Sequence, residues 1–176
     1  MLNVKKSAQP TIHISVAKQR LSLKRGRKTH RTFPVSTSKY GIGAAEGSFK
    51  TPAGRFRVAE KVGDGEPVDI AFKSRMPMRP SAEMLRGDDL VMSRILWLDG
   101  LEPANANTYD RYVYIHGTNH EELIGQPASH GCIRMKKADV AELFDLVEVG
   151  TPVVIAAPRL VRRGAKKREK SVAPRK

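Results

Sequence analysis

The chain is poor in several things that would otherwise set its class. A single cysteine in 176 residues rules out an intramolecular disulfide, leaves the redox compartment unassigned and removes the cysteine pairs of structural zinc sites. No stretch approaches the roughly 18 consecutive apolar residues of a membrane-spanning helix. Residues 1–10 carry Lys5 and Lys6, but no apolar run of about 7 to 15 residues follows them. This segment therefore reads as an N-terminal extension with no visible signal peptide. Internal repeats are absent, and acids are missing from residues 1–45, which hold ten Lys and Arg.

What charge there is lies at the ends. The formal net charge is +14, and residues 158–176 hold nine Lys and Arg against Glu169 alone. Residues 46–157 instead carry thirteen basic and seventeen acidic residues, a mildly acidic body. That distribution excludes a globally nucleic-acid-binding domain and gives no reason to expect a specific nucleic-acid partner. The tail, residues 158–176, is polar and almost free of large apolar residues. It is expected to be disordered and suited to an anionic polymer or a membrane surface. Residues 11–157 form one domain, and a chain of this length buries roughly 70% of its unfolded surface in a single core.

Periodicity points to a mostly β fold. Ile12, Ile14 and Val16 alternate with polar residues, as do Leu21 and Leu23, and Lys24 to Arg27 supply a turn before a returning strand over 29–36. Phe56 and Val58 alternate with Arg55 and Arg57. Residues 93–98, Ser-Arg-Ile-Leu-Trp-Leu, predict a buried strand with Trp97 in the core, and 111–116 predicts another. Residues 67–90, with Pro67, Pro77, Pro80 and Gly87, show no period and read as irregular. Val140, Leu143, Phe144 and Val147 then fall at i, i+3, i+4 and i+7, the apolar face of a helix that Gly150 should end. A closing strand is expected over 151–157.

Chemistry concentrates in Ser129-His130-Gly131-Cys132-Ile133-Arg134, read together with Tyr114-Ile115-His116-Gly117. Thiolate is the reactive form of cysteine, and nearby His or Arg charge lowers a thiol pKa from about 8.5 into roughly the 3.5 to 7.5 range. That predicts a nucleophile at Cys132, with His116 as its base. Gly131 suits a tight turn that exposes the thiol and aims backbone N–H groups at an oxyanion. The alternative for Cys132 is a buried, inert thiol, and for His116 a strand-end histidine satisfied by the backbone.

These motifs resemble the YkuD-type L,D-transpeptidases of bacterial cell walls. The resemblance rests on His116-Gly117 and on Ser129 through Arg134, with Arg134 where many members carry Asn. It extends to Thr51-Pro52-Ala53-Gly54-Arg55-Phe56 and to Phe33-Pro34-Val35-Ser36-Thr37, and covers about residues 11–157. It implies a curved β sheet or sandwich of short strands with one main α-helix after the cysteine loop. It also implies acyl transfer on peptidoglycan stem peptides through a Cys132 thioester, giving cross-links or attachment of an envelope protein. His116 would be oriented by the Gly117 carbonyl, and no cofactor or metal is called for. Such a protein works in the cell envelope or periplasm; with no signal peptide visible, a cytoplasmic setting stays open.

Several assignments stay open on the sequence alone. Water as acceptor gives an L,D-carboxypeptidase or endopeptidase, and a non-catalytic polyanion- or envelope-binding protein is the reading from a different class. His130 is an alternative base, a supporting donor or a loop residue, and Ser129 supports the loop. Arg134 either anchors that loop or grips a substrate carboxylate with its planar fork. Tyr114 either lines the substrate groove or belongs to the core. His120, Glu121 and Glu122 read as solvated loop residues. A zinc site built from His116, His120, His130 and Cys132 is the rival at the same positions, against which the missing cysteine pairs count.

Overall fold

A computed structural model describes residues 9–158; the segments 1–8 and 159–176, and with them the expectation of a disordered basic tail, lie outside the described residues. Alternation builds the N-terminal meander as predicted. Strands β1 (Pro10–Ser15), β2 (Arg20–Arg25) and β3 (Lys28–Pro34) turn Ile12, Ile14, Leu21, Leu23 and Phe33 to the inside. β4 (Gly54–Val62) does the same with Phe56 and Val58. The closing strand β10 (Pro152–Ala156) runs parallel to β1 and antiparallel to β4, which ties the two ends of the domain together.

The centre of the sheet is β7 (Val91–Gly100), the strand read from the Ser93 to Leu98 run. Its apolar residues are nearly continuous because both faces are covered, the situation in which alternation disappears. Leu96 and Leu98 enter the main core with β1, β2, β4, β10 and the helix α2 (Lys137–Leu146), while Ile95 and Trp97 enter a second cluster with Ile70, Phe72 and Tyr114. The whole is one mixed ten-stranded sheet in the order β3-β2-β1-β10-β4-β7-β5-β6, with β5 at Ala71–Lys73 and β6 at Met76–Met78. From β7 the strands β8 (Tyr114–Gly117) and β9 (Ile133–Met135) branch off.

Three boundaries differ from expectation. Residues 67–90 are not irregular: they hold the short hairpin β5 (Ala71–Lys73) and β6 (Met76–Met78), then α1 (Ala82–Gly87). The hairpin turn Ser74-Arg75 has φ of 50° and 66°, a left-handed pair normally signalled by Asn or Gly, and neither residue stands there to mark it. α1 buries none of its residues and therefore has no apolar stripe to read. The strand expected from 111 begins only at Tyr114, because Tyr112 takes φ 54° in a turn. Gly150 does not cap α2: the helix ends at Leu146 with Val147 extended, and Gly150, at φ 88°, sends its N–H to the Val58 carbonyl at 2.8 Å.

Candidate active site

β8 and β9 run parallel in the register Ile115 to Ile133 and His116 to Arg134. With side chains alternating along a strand, Ile115 and Ile133 go to the main core. Tyr114 and His116 share the other face with Arg134, and Cys132 sits just before β9 on that side. The two sequence motifs, twelve or more residues apart in the chain, thus meet as neighbouring strand ends.

His116 is buried, and its Nδ1 lies 2.7 Å from the carbonyl oxygen of Gly117. A carbonyl only accepts, so Nδ1 carries the hydrogen and Nε2 is left with its lone pair. Gly117 is required for a second reason: a Cβ there would stand 2.7 Å from the Met92 carbonyl oxygen of β7. This approach coincides with an irregular register between Met92 and Ile95, where Ser93 takes φ 67°.

The Cys132 loop is held by hydroxyls. Ser129 Oγ donates to the Cys132 carbonyl at 2.6 Å and accepts the Gly131 N–H at 3.3 Å, and Thr51 Oγ1 donates to the Gly131 carbonyl at 2.9 Å. Gly131 has φ 125° with only ordinary contacts at its Cβ position, so backbone conformation and not space demands glycine. Of the backbone N–H groups expected at the oxyanion, that of Gly131 meets Ser129 Oγ at the long distance of 3.3 Å. Beneath the loop, Ser36 and Arg134 exchange two backbone hydrogen bonds of 2.8 Å. Thr37 is fixed by Gln19, which accepts its N–H and donates to its hydroxyl, both at 2.8 Å. Thr51 and the Ser36-Thr37 segment, noticed in the sequence only as family elements, are therefore the supports of the thiol loop.

The thiol itself sits between two backbone groups. Tyr114 N–H donates to Sγ and Sγ donates to the Tyr112 carbonyl, each at 3.4 Å. Burial pushes the Cys132 thiol up to about 11, and burial holds His116 down at about 4. For both groups desolvation of the charged form outweighs the rest: Arg134 and Arg111 lower the thiol, and the Gly117 bond raises the histidine, by less. Cys132 is half-buried by its surface exposure, and there desolvation opposes the depression expected from neighbouring charge. Both shifts favour the neutral forms, a thiol and an imidazole, in the free site.

Arg134 is only 2% exposed, and its Nη1 donates to Asp89 Oδ1 at 2.7 Å. Its Nε and Nη2 are buried with no partner among the described residues. His130 is exposed, 3.8 Å from Asp89 Oδ2 and against the rings of Tyr40 and Phe49. Asp89 was missed because it lies in the stretch without periodicity. Tyr114 is buried in the second cluster and is not among the residues lining the thiol cavity; its phenol faces Arg75, whose guanidinium lies 4.6 Å over Trp97.

The loop acids are not merely solvated. Glu121 Oε1 accepts the Lys137 N–H at 2.8 Å, at the start of α2, and His120 bonds Glu122 and the Asp88 carbonyl. His120 is not among the residues lining the Cys132 cavity, and His116, His120, His130 and Cys132 do not converge as a zinc set. Among the described residues no group of three or more His, Cys, Asp or Glu is placed to hold a metal ion. His116, Cys132, Ser129, His130, Arg134 and Asp89 instead line one cavity of about 150 Å³.

Fold and site together define a thiol–imidazole protein on a mixed β sheet. The family model of the L,D-transpeptidase catalytic domain, YkuD, matches residues 9–155, and the chain belongs to that family. YqjB of Bacillus subtilis is 48% identical over 52 residues, 29% of this chain and 30% of its own length. An L,D-transpeptidase from Mycobacterium smegmatis shares the fold with a TM-score of 0.56 at 19% identity, over 85% of this chain and 59% of that one. L,D-transpeptidase 3 from Mycobacterium tuberculosis, solved with a faropenem-derived adduct, gives 0.53 at 19%, over 84% and 60%. The matches thus span less than two thirds of these relatives. No helix among the described residues is long and apolar enough to cross a membrane.

Proposed function

We propose that this chain is a cysteine-dependent L,D-transpeptidase acting on peptidoglycan stem peptides in the cell envelope. The observation that carries the reading is the Nδ1 to Gly117 bond, which leaves Nε2 of His116 as a proton acceptor lining the same cavity as the Cys132 thiol. Sγ attacks the carbonyl carbon of the peptide bond to the terminal D-residue as its proton passes to Nε2. Backbone N–H groups of the Gly131-Cys132 turn are assigned to the oxyanion. The C–N bond then breaks, the leaving amine takes the proton from His116, and a thioester is left. An incoming amine, from a second stem or an envelope protein, attacks the thioester while His116 again accepts and returns the proton to sulfur.

Intact-mass analysis after incubation with a defined tetrapeptide stem tests this. A mass gain equal to the stem less the free terminal D-amino acid it releases, absent in Cys132→Ala, is expected; no adduct on a fully reduced thiol sinks the reading. Adding a defined amine to the same incubation separates transpeptidation from release by water. The basic tail is assigned to retention on anionic surfaces, apart from the chemistry.

A further inference from the structure

A cavity of about 370 Å³, larger than the one at the thiol, lies on the outer face of β3, β2, β1 and β10. It shares no residue with the Cys132 cavity. We propose that this concave face is a binding groove for a linear anionic polymer that carries phosphate groups.

The face follows from the strand pattern. The inward row of β1 and β2 is Ile12, Ile14, Leu21 and Leu23, so the outward row is His13, Ser15, Arg20, Ser22 and Lys24. The register then aligns Thr32, Ser22, His13 and Val154 across four strands, a hydroxyl-rich floor with Lys18 and Arg20 at one end and Lys24 at the other. Residues 10–34 contain seven Lys and Arg and no acid, and only Arg31 has a carboxylate partner, Glu142, among the described residues. Lys18, Arg20, Arg25, Arg27 and Lys28 are exposed and Lys24 half-buried, and none of them has a carboxylate partner among the described residues. His13 reports the same field: burial first, then Lys24, holds its imidazole below the ordinary value.

Shape and chemistry choose the occupant. A concave trough suits a threaded chain, whereas a lipid surface is flat. Its donors are spread over four strands: cationic ends and hydroxyls between them. That arrangement surrounds a tetrahedral phosphate, whereas a planar carboxylate asks for one bidentate fork. Repeated phosphates also suit cations placed at both ends of the groove. Because the groove lies away from the thiol, an occupied groove would tether the protein to a polymer while leaving the Cys132 cavity open. The inference does not depend on the reaction assigned to Cys132.

The test uses long-chain polyphosphate and the full chain. Lys18→Gln, Arg20→Gln and Lys24→Gln are combined and compared with Lys73→Gln, Arg79→Gln and Arg86→Gln, a control removing equal charge from exposed sites elsewhere. The groove variant should lose about tenfold or more in affinity. Its log–log salt slope should fall by about 2, from about 0.7 per lost phosphate contact. The control should change by less than about twofold. Equal loss in both variants, or loss in neither, overturns the groove. So does stronger binding of the unmutated protein to anionic phospholipid vesicles than to polyphosphate, because the surface would then be a lipid one. If the triple variant does not fold, lysine footprinting of the unmutated protein decides: polyphosphate should shield Lys18 and Lys24 from acetylation and leave Lys73 reactive. Equal reactivity at all three rejects the proposal.

Discussion

The Gly117 carbonyl oxygen lies 2.7 Å from Nδ1 of His116, and this one contact ties the tautomer of the base to the backbone of the strand that carries it. No side chain can drift or titrate in that role, and the same Gly117 is pressed against Met92 of β7. The orientation of the ring is thus a property of the sheet.

Removing the base should therefore cost far more than removing its neighbour. His116→Ala is expected to slow acylation of Cys132 by about 10² to 10⁴, the usual range for a general base. His130→Ala, whose ring is exposed against Tyr40 and Phe49, should cost less than about tenfold. Single-turnover mass spectrometry with a stem peptide or a penem checks the ranking. If the order is reversed, the base belongs to the Ser-His-Gly-Cys loop.

Gly117→Ala places a methyl group 2.7 Å from a backbone oxygen that cannot swing aside. β8 must shift off β7, at a cost of about 1–3 kcal/mol, the usual range for overpacking. Because His116 is the adjacent residue, acylation should fall by more than the loss of folded protein explains. A melting curve and an acylation rate on the same sample give the two numbers; an unchanged rate in a destabilised protein would separate ring orientation from Gly117.

Much of this was legible in the sequence because it rests on period and local chemistry. Ile12, Leu21, Phe56 and Val58 alternate, Val140, Leu143 and Phe144 repeat at helical spacing, and His116-Gly117 and Gly131-Cys132 stand out by residue type. What stayed hidden depends on contacts distant in the chain. Asp89 meets Arg134 across 45 residues and Thr51 meets Gly131 across 80, and no local pattern announces either. Desolvation of the thiol is hidden for the same kind of reason. The neighbours His130 and Arg134 were visible, but the burial that outweighs them was not.

That burial makes a sharp pH prediction. A thiol at about 11 is thiolate to only about one part in 10⁴ at pH 7, so iodoacetamide should alkylate native Cys132 about a hundredfold more slowly than the same thiol in the unfolded chain. The rate should climb until about pH 11. Acylation by a stem peptide, which draws the proton to His116 during attack, should instead stay level at neutral pH and fall only as pH drops through about 4, when His116 protonates. His116→Ala should lack that acid limb. Fast alkylation at neutral pH, levelling off below about pH 8, would mean that the free site holds a thiolate ion pair after all.

Arg134 separates anchoring from recognition. Its Nη1 is taken by Asp89, but Nε and Nη2, which form one side edge of the guanidinium, are buried with no partner among the described residues. A buried donor left unpaired costs about 1–3 kcal/mol, and a planar carboxylate is the group that satisfies both nitrogens at once. Arg134→Lys keeps the charge near Asp89 and loses that edge. If the edge serves a carboxylate of the stem peptide, KM should rise about tenfold or more while kcat changes little. A donor with that carboxylate amidated should bind the variant and the unmutated protein alike. If Arg134 only anchors the loop, the substitution should lower kcat and melting temperature together, and amidation should weaken binding no more in one protein than in the other. Steady-state kinetics with the two donors on both proteins decide between these outcomes, because loop distortion cannot reproduce an effect that vanishes with the substrate's charge.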